Sequence, residues 1–362
     1  MNKIIYLDAA ATYQKSDDVV AAEIDFLRNH YANSGRGVCE RAVLVDNMVM
    51  GARERVAAMM NTTAEHIVFT SGTTDGMNQI ARMLNLNQDS IVAVSDLDHH
   101  SARLPFAMTG AKIAVCPLDE NYDFDVDNIP WADVVVITAM SNVLGRAQDV
   151  AKIVACAREK NADAIIVVDA AQFVVHEKID VLAWGADFVC WSAHKIGGDT
   201  GLGVMYVKNP KLWRPVKFGG GMVNRICGDD ISYSCAPEIF EAGTLPLTQI
   251  AGLGVAINHL EQNRPDSKLI QYMYDELVGQ RRIKILSHRD AAMLTFVVDD
   301  MHVLDVGALL GARGVCVRVG NMCATWIHNR LGVPGSVRVS VGAYNTIDEV
   351  KQAVKYIKDI VE

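Results

Sequence analysis

The chain has 362 residues, half of them apolar and 21% charged, with a formal net charge of −9. That composition suits a soluble globular enzyme with one large and one smaller domain. The acidic balance, with no basic stripe, argues against nucleic acid as the main partner.

No stretch approaches the length that spans a bilayer. The run Met1 to Asp8 is too short and too weakly apolar for a signal peptide, so cytoplasmic residence is expected. Eight cysteines (Cys39, Cys116, Cys156, Cys190, Cys227, Cys235, Cys316 and Cys323) show no C-x-x-C pair and no Cys/His cluster at zinc spacing. They read as reduced thiols, mostly small apolar fillers, and no metal site is expected.

In chain order, apolar runs alternate with helix-like segments from about residue 65. The runs are 66–70, 90–94, 112–116, 133–137, 164–168, 188–191 and 203–207. Continuous β-branched runs predict strands buried on both faces of a mostly parallel sheet, with helices such as 149–157 as crossovers. This predicts an α/β fold with a large domain over 13–262, and ligands bind beyond the carboxyl ends of such strands. Residues 247–260 can form one helix joining the two parts. Beyond 262, strands near 294–298, 315–319 and 337–341 predict a smaller α+β domain over 263–362, joined by the N-terminal segment 1–12. The last helix carries a capping box, Thr346 with Glu349, and an apolar stripe of Val350, Val354, Ile357 and Val361.

Several strand ends carry chemistry. Lys195 follows the apolar run 188–191, where desolvation disfavours an ammonium, a cost met most readily where an amine nucleophile or Schiff base is needed. Asp169 ends the run before it. A strand-end acid and a strand-end lysine suit pyridoxal 5′-phosphate (PLP): the lysine holds the aldehyde as an imine and the acid keeps the ring nitrogen protonated.

Ser71-Gly72-Thr73-Thr74-Asp75-Gly76 opens a helix and can cradle a phosphate, or be an ordinary capped turn. His99 can stack on a cofactor ring or be a plain loop histidine. Arg338 can fork an α-carboxylate or snorkel from an edge strand. Cys323 follows a strand and precedes a helix, a position that favours a thiolate, although the filler reading applies to any one of eight cysteines.

Taken in order, these pieces resemble the group II cysteine desulfurases and selenocysteine lyases, in the class V aminotransferase superfamily of fold-type I PLP enzymes. The likeness runs from Tyr6-Leu7-Asp8-Ala9-Ala10-Ala11-Thr12 through Ser141-Asn142-Val143-Leu144-Gly145, Asp169-Ala170-Ala171-Gln172, Ser192-Ala193-His194-Lys195 and Phe240-Glu241-Ala242-Gly243-Thr244 to Arg318-Val319-Gly320-Asn321-Met322-Cys323 and Val339 to Thr346.

The resemblance implies a fold-type I PLP-dependent transferase with a seven-stranded sheet. Lys195 would carry the cofactor, Asp169 would pair with its ring nitrogen, Gln172 would bond its phenolic oxygen and His99 would stack on the ring. Thr73, Thr74, Ser192 and His194 would bind the phosphate, joined by Thr244 from the partner subunit of a homodimer. Arg338 would hold the substrate carboxylate with Asn142 nearby, and Arg36 is a further substrate candidate. Cys323 would accept sulfur from L-cysteine, releasing alanine, and pass it to an acceptor protein for iron–sulfur cluster assembly. A selenocysteine lyase, another PLP-dependent carbon–sulfur lyase, an aminotransferase or an epimerase is an alternative, as is a catalytically idle scaffold.

This chain departs from the family pattern at Asn321-Met322, where relatives often have histidines, and lacks the usual histidine before Arg36. Cys227 and Cys235 lie where relatives have a hairpin, and packing is their default role.

Overall fold

The computed structural model describes residues 4–35 and 37–362. A seven-stranded sheet forms its centre, from β1 (Ile67–Thr70), β2 (Ile91–Ser95), β3 (Lys112–Cys116), β4 (Val134–Thr138), β5 (Ile165–Asp169), β6 (Phe188–Ser192) and β7 (Gly203–Val207). Their order is β1-β7-β6-β5-β4-β2-β3. The strands β3, β2, β4, β5 and β6 pair in parallel, whereas β7 runs antiparallel to both β6 and β1. The seven predicted runs are these seven strands, within about one residue at each end.

The apolar runs are continuous because both faces are buried. Val135, Ile137, Ile166 and Val168 enter one core beside the helices Glu40–Met59 and Leu247–Gln262. Their neighbours Val134, Val136 and Val167 enter another core on the opposite face, with Met77 and Ile80 of the helix Thr73–Met83.

A four-stranded antiparallel sheet forms the second layer. Its strands are β8 (Ile283–Ile285), β9 (Met293–Val298), β10 (Arg318–Gly320) and β11 (Ser336–Ser340), in the order β8-β9-β11-β10. The predicted strand at 315–319 is divided. Val315 and Cys316 instead pair in parallel with Ile5 and Tyr6, so the chain start packs with the smaller core through Ile5 and Leu7. The predicted capping box of Thr346 and Glu349 starts the helix Ile347–Val361, and its stripe of Val350, Val354, Ile357 and Val361 is buried. An exposed hairpin joins Val223–Cys227 to Asp230–Tyr233.

The filler reading of the cysteines needs correction. Cys116 and Cys190 are buried, but Cys39, Cys227, Cys235 and Cys323 are exposed, so packing does not account for Cys227 and Cys235.

Candidate active site

Parallel register brings the ends of β4, β5 and β6 to one edge, with Thr138 opposite Asp169 and Asp169 opposite Cys190. Ser192 and Thr70 both face Gly203 at the start of β7. Beyond this edge lies a cavity of about 340 Å³, within the ~300–1,000 Å³ common for small-ligand sites. Thr73, Thr74, His99, Asn142, Asp169, Gln172, Ser192, His194, Lys195, Arg318, Met322, Cys323 and Arg338 all line it. Eleven residues named from the sequence therefore converge on one space. Thr244 does not; it is exposed on the wall of a second cavity with Gly220, Gly221 and Arg53. Arg36 lies outside the described residues.

The Lys195 Nζ donates to the carbonyls of Ala10 at 2.7 Å and Ala11 at 3.1 Å. Burial lowers its pKa to about 8; the Arg338 charge pushes the same way, and Asp169 opposes it. The Asp169 carboxylate is buried and accepts the Ala171 N–H at 2.9 Å. Burial lifts its pKa to about 6 against that bond and the Lys195 charge. A carboxylate so placed favours a cationic partner in the cavity.

One end of the cavity carries a helix start and two hydroxyls, groups that can receive an anion. The helix Thr73–Met83 begins there, and the Thr73 N–H donates to Ser192 Oγ at 2.8 Å. The Thr73 and Ser192 hydroxyls share a further 2.8 Å bond. Gly72 has φ 144°, and a Cβ on Gly203 would collide with the Gly72 backbone, so only glycine permits this close approach. His194 Nδ1 lies 3.2 Å from Thr12 Oγ1, and burial lowers its pKa to about 4.

His99 caps the helix His100–Ala107 by accepting the Ser101 N–H on Nδ1 at 3.1 Å. The neutral ring therefore carries its proton on Nε2. Burial, reinforced by the Lys195 charge, lowers its pKa to about 4, so it stays neutral near pH 7. Beneath it, Asp98 accepts from Ser95 N at 2.8 Å and Thr138 Oγ1 at 2.7 Å, which fixes this loop to the sheet.

Gln172 and Asn142 each turn their amide nitrogen to a backbone carbonyl. Gln172 Nε2 donates to Ala10 O at 2.8 Å, and Asn142 Nδ2 donates to Met322 O at 2.9 Å. Carbonyls only accept, which assigns both amides. Among the described residues, Gln172 Oε1, Asn142 Oδ1 and Arg338 Nε are buried without a partner.

Arg338, on β11, donates to Asn142 O at 2.7 Å and to Asp8 Oδ1 at 3.2 Å. Burial lowers its pKa to about 10, while Asp8 holds it up. Arg318, opposite Arg338 in the register, reaches Asp8 Oδ2 at 2.8 Å. Two arginines and one aspartate leave a net positive charge facing the cavity. The Asp8 clamp was not foreseen, because 330 residues separate Asp8 from Arg338.

Cys323 sits in an unusual turn. Met322 at φ 50° and Cys323 at φ 53° are both left-handed, which costs roughly 1–2 kcal/mol per residue. The turn is held by Asn142 at the Met322 carbonyl and by the His100 N–H, which donates to Cys323 O at 2.8 Å. The thiol lines both the inner cavity and an outer groove with Leu104 and Met108. Among the described residues, no group of His, Cys, Asp or Glu is arranged to hold a metal, and no helix is long and apolar enough to cross a membrane.

A sheet of this order with a lysine and an acid at its carboxyl edge defines the class, and the chain belongs to the aminotransferase class-V family, whose profile matches residues 5–353. It is 35% identical to a cysteine desulfurase of Enterobacter sp. over 99% of this chain and 93% of that protein. It is 32% identical to a cysteine desulfurase of Klebsiella pneumoniae over 99% and 93%. Among solved structures, it superimposes on the apo cysteine desulfurase of Thermococcus onnurineus with a TM-score of 0.93, at 28% identity over 99% of this chain and 94% of that one. A cysteine desulfurase of Escherichia coli, solved as its S-sulfonic acid, gives a TM-score of 0.91 at 30% identity over 99% and 96%.

Proposed function

We propose that this protein is a PLP-dependent cysteine desulfurase, converting L-cysteine to L-alanine and leaving a persulfide on Cys323. The observation that carries this reading is that Lys195, Asp169, Arg338 and Cys323 line one cavity. The cavity fits PLP on the structure's own terms. Asp169 is a buried acid with its pKa raised, suited to a protonated ring nitrogen. Thr73, Ser192 and the helix start suit a phosphate, with Thr74 and His194 beside them. Gln172 would meet the ring's phenolic oxygen through the second hydrogen of its amide nitrogen, and Asn142 lines the same cavity. When bound, PLP supplies an electron-accepting ring that weakens bonds at the substrate's α-carbon.

The protein's own groups account for the rest. Arg338 keeps Nε unpartnered and buried, ready for the substrate carboxylate. Lys195, with its lowered pKa, is a base at Nζ for the α-proton near neutral pH. The neutral His99 supports a ring face and holds a proton on Nε2. The Cys323 thiolate attacks the substrate sulfur; an S–S bond forms, the carbon–sulfur bond breaks, and its electron pair stays with the carbon that becomes the alanine methyl group after protonation.

The position of Cys323 between the inner cavity and the outer groove supports onward transfer to a sulfur-acceptor protein. Iron–sulfur cluster assembly as the pathway served and the cytoplasm as its place are further parts of the proposal. A homodimer is part of the proposal, with Thr244 reaching the partner's phosphate cradle; its exposure, and that of Val43, Leu44 and Met50 on the helix Glu40–Met59, supports this. We also divide the chain at 13–262 and 263–362, with 1–12 joining the smaller part.

The test incubates holo-protein with L-cysteine and measures alanine, sulfide and the mass of the Cys323 peptide. Desulfuration is expected in the wild type and a loss of about tenfold or more in Cys323→Ala. Equal rates in the two proteins would refute the thiol attack and leave selenocysteine or plain carbon–sulfur lysis as the reaction.

A further inference from the structure

The Cys323 turn is the least relaxed backbone at the site. Two successive non-glycine residues, Met322 and Cys323, hold positive φ at 50° and 53°. Such a pair persists only where the surroundings over-determine it. Here both carbonyls of the turn are tied across the molecule to the large-sheet side. Met322 O accepts from Asn142 Nδ2 at 2.9 Å, and Cys323 O accepts from the His100 N–H at 2.8 Å. Asn142 has a second tie, because its own carbonyl accepts Arg338 Nη1 at 2.7 Å. One residue therefore joins the arginine assigned to the substrate carboxylate to the turn that carries the thiol. Its Oδ1 is buried without a partner among the described residues, while one hydrogen of its nitrogen is donated to Met322.

We propose that Asn142 is a positioning residue for Cys323. Its amide holds the left-handed turn so that the thiol faces the cavity at the height of a substrate sulfur whose carboxylate rests on Arg338. This role is separate from any contact between Asn142 and the substrate, since the amide nitrogen carries two hydrogens and only one is aimed at Met322. The inference rests on the desulfurase reading above, in which Cys323 performs the attack.

The test compares wild type, Asn142→Ala and Asn142→Leu as holoenzymes on L-cysteine and on β-chloroalanine. Chloride leaves β-chloroalanine with its own bonding pair and needs no thiol. For both variants, kcat on cysteine should fall at least about tenfold further than kcat on β-chloroalanine. A second measurement needs no turnover: the alkylation rate of Cys323 by iodoacetamide, followed by peptide mass, with exposed Cys227 as the internal control. That rate should change by about threefold or more at Cys323 and not at Cys227. Parallel losses on the two substrates, expressed in KM, would leave Asn142 as a carboxylate ligand alone and overturn the proposal. An unchanged alkylation rate would also overturn it. Failure of the underlying reading is separately visible, as wild-type protein that does not desulfurise cysteine or a Cys323→Ala variant that does so normally.

Discussion

The lowered pKa of Lys195, the lysine proposed above to carry PLP, predicts how cofactor capture depends on pH. An ordinary lysine at 10.5 leaves roughly one amine in 3,000 free at pH 7, whereas a value of about 8 leaves about one in ten. The rate at which cofactor-free protein captures PLP should therefore rise about fivefold from pH 7 to 8, less than about twofold from 8 to 9, and then level off. The assay mixes stripped protein with PLP, traps the product with borohydride at timed intervals and quantifies the modified Lys195 peptide; butylamine treated identically corrects for titration of PLP itself. Burial is the main cause of the depression and the Arg338 charge the next, so Arg338→Met should move the midpoint upward. A corrected rate that still climbs tenfold per pH unit beyond pH 9 would show that Lys195 is an ordinary solvated amine, and the reasoning would fail.

Two further outcomes follow from backbone approach and buried charge. Gly203→Ala should weaken PLP affinity about tenfold or more, because a Cβ there meets the Gly72 backbone and displaces the phosphate cradle; unaltered affinity by equilibrium dialysis would refute that constraint. Arg53 donates to both Glu241 oxygens at 2.7 and 2.8 Å, and the Phe69 N–H donates to the same carboxylate at 2.6 Å. Arg53→Met alone should cost about 3–5 kcal/mol by leaving Glu241 buried and uncompensated, and the double variant with Glu241→Met should cost less than the sum, as read by denaturant titration.

The large sheet was legible because burial on both faces writes continuous apolar runs into the sequence, and β1 to β7 fall where those runs are. Strand β8 was missed: Ile283-Lys284-Ile285 is too short for periodicity to register. The division after Cys316 was also hidden, since the partner of Val315 is Ile5, a pairing set by tertiary packing. At the site, residues at or just beyond strand ends were visible as chemistry interrupting apolar runs; Asp169, Ser192 and Lys195 are of that kind. The residues that orient them left no local signal. Asp8 clamps two arginines from the far end of the chain, Glu241 meets Arg53 across 188 positions, and nothing in Asn321-Met322-Cys323 announces two left-handed residues without a glycine. Thr244 lies on a second cavity, apart from the rest, and the homodimer proposed above assigns its target to another subunit.

The route of the chain start has a consequence for biogenesis. Ala10 and Ala11 supply the carbonyls that receive the Lys195 amine, yet Leu7 and Ala9 are themselves anchored by backbone bonds to Cys316 and Ser340. Leu7 and Ala9 must therefore wait for Cys316 and Ser340 to be made before they can settle. A nascent chain can build its large sheet before then, but Lys195 gains its final surroundings only once Ser340 has been made, so they arrive as one late event and not by degrees.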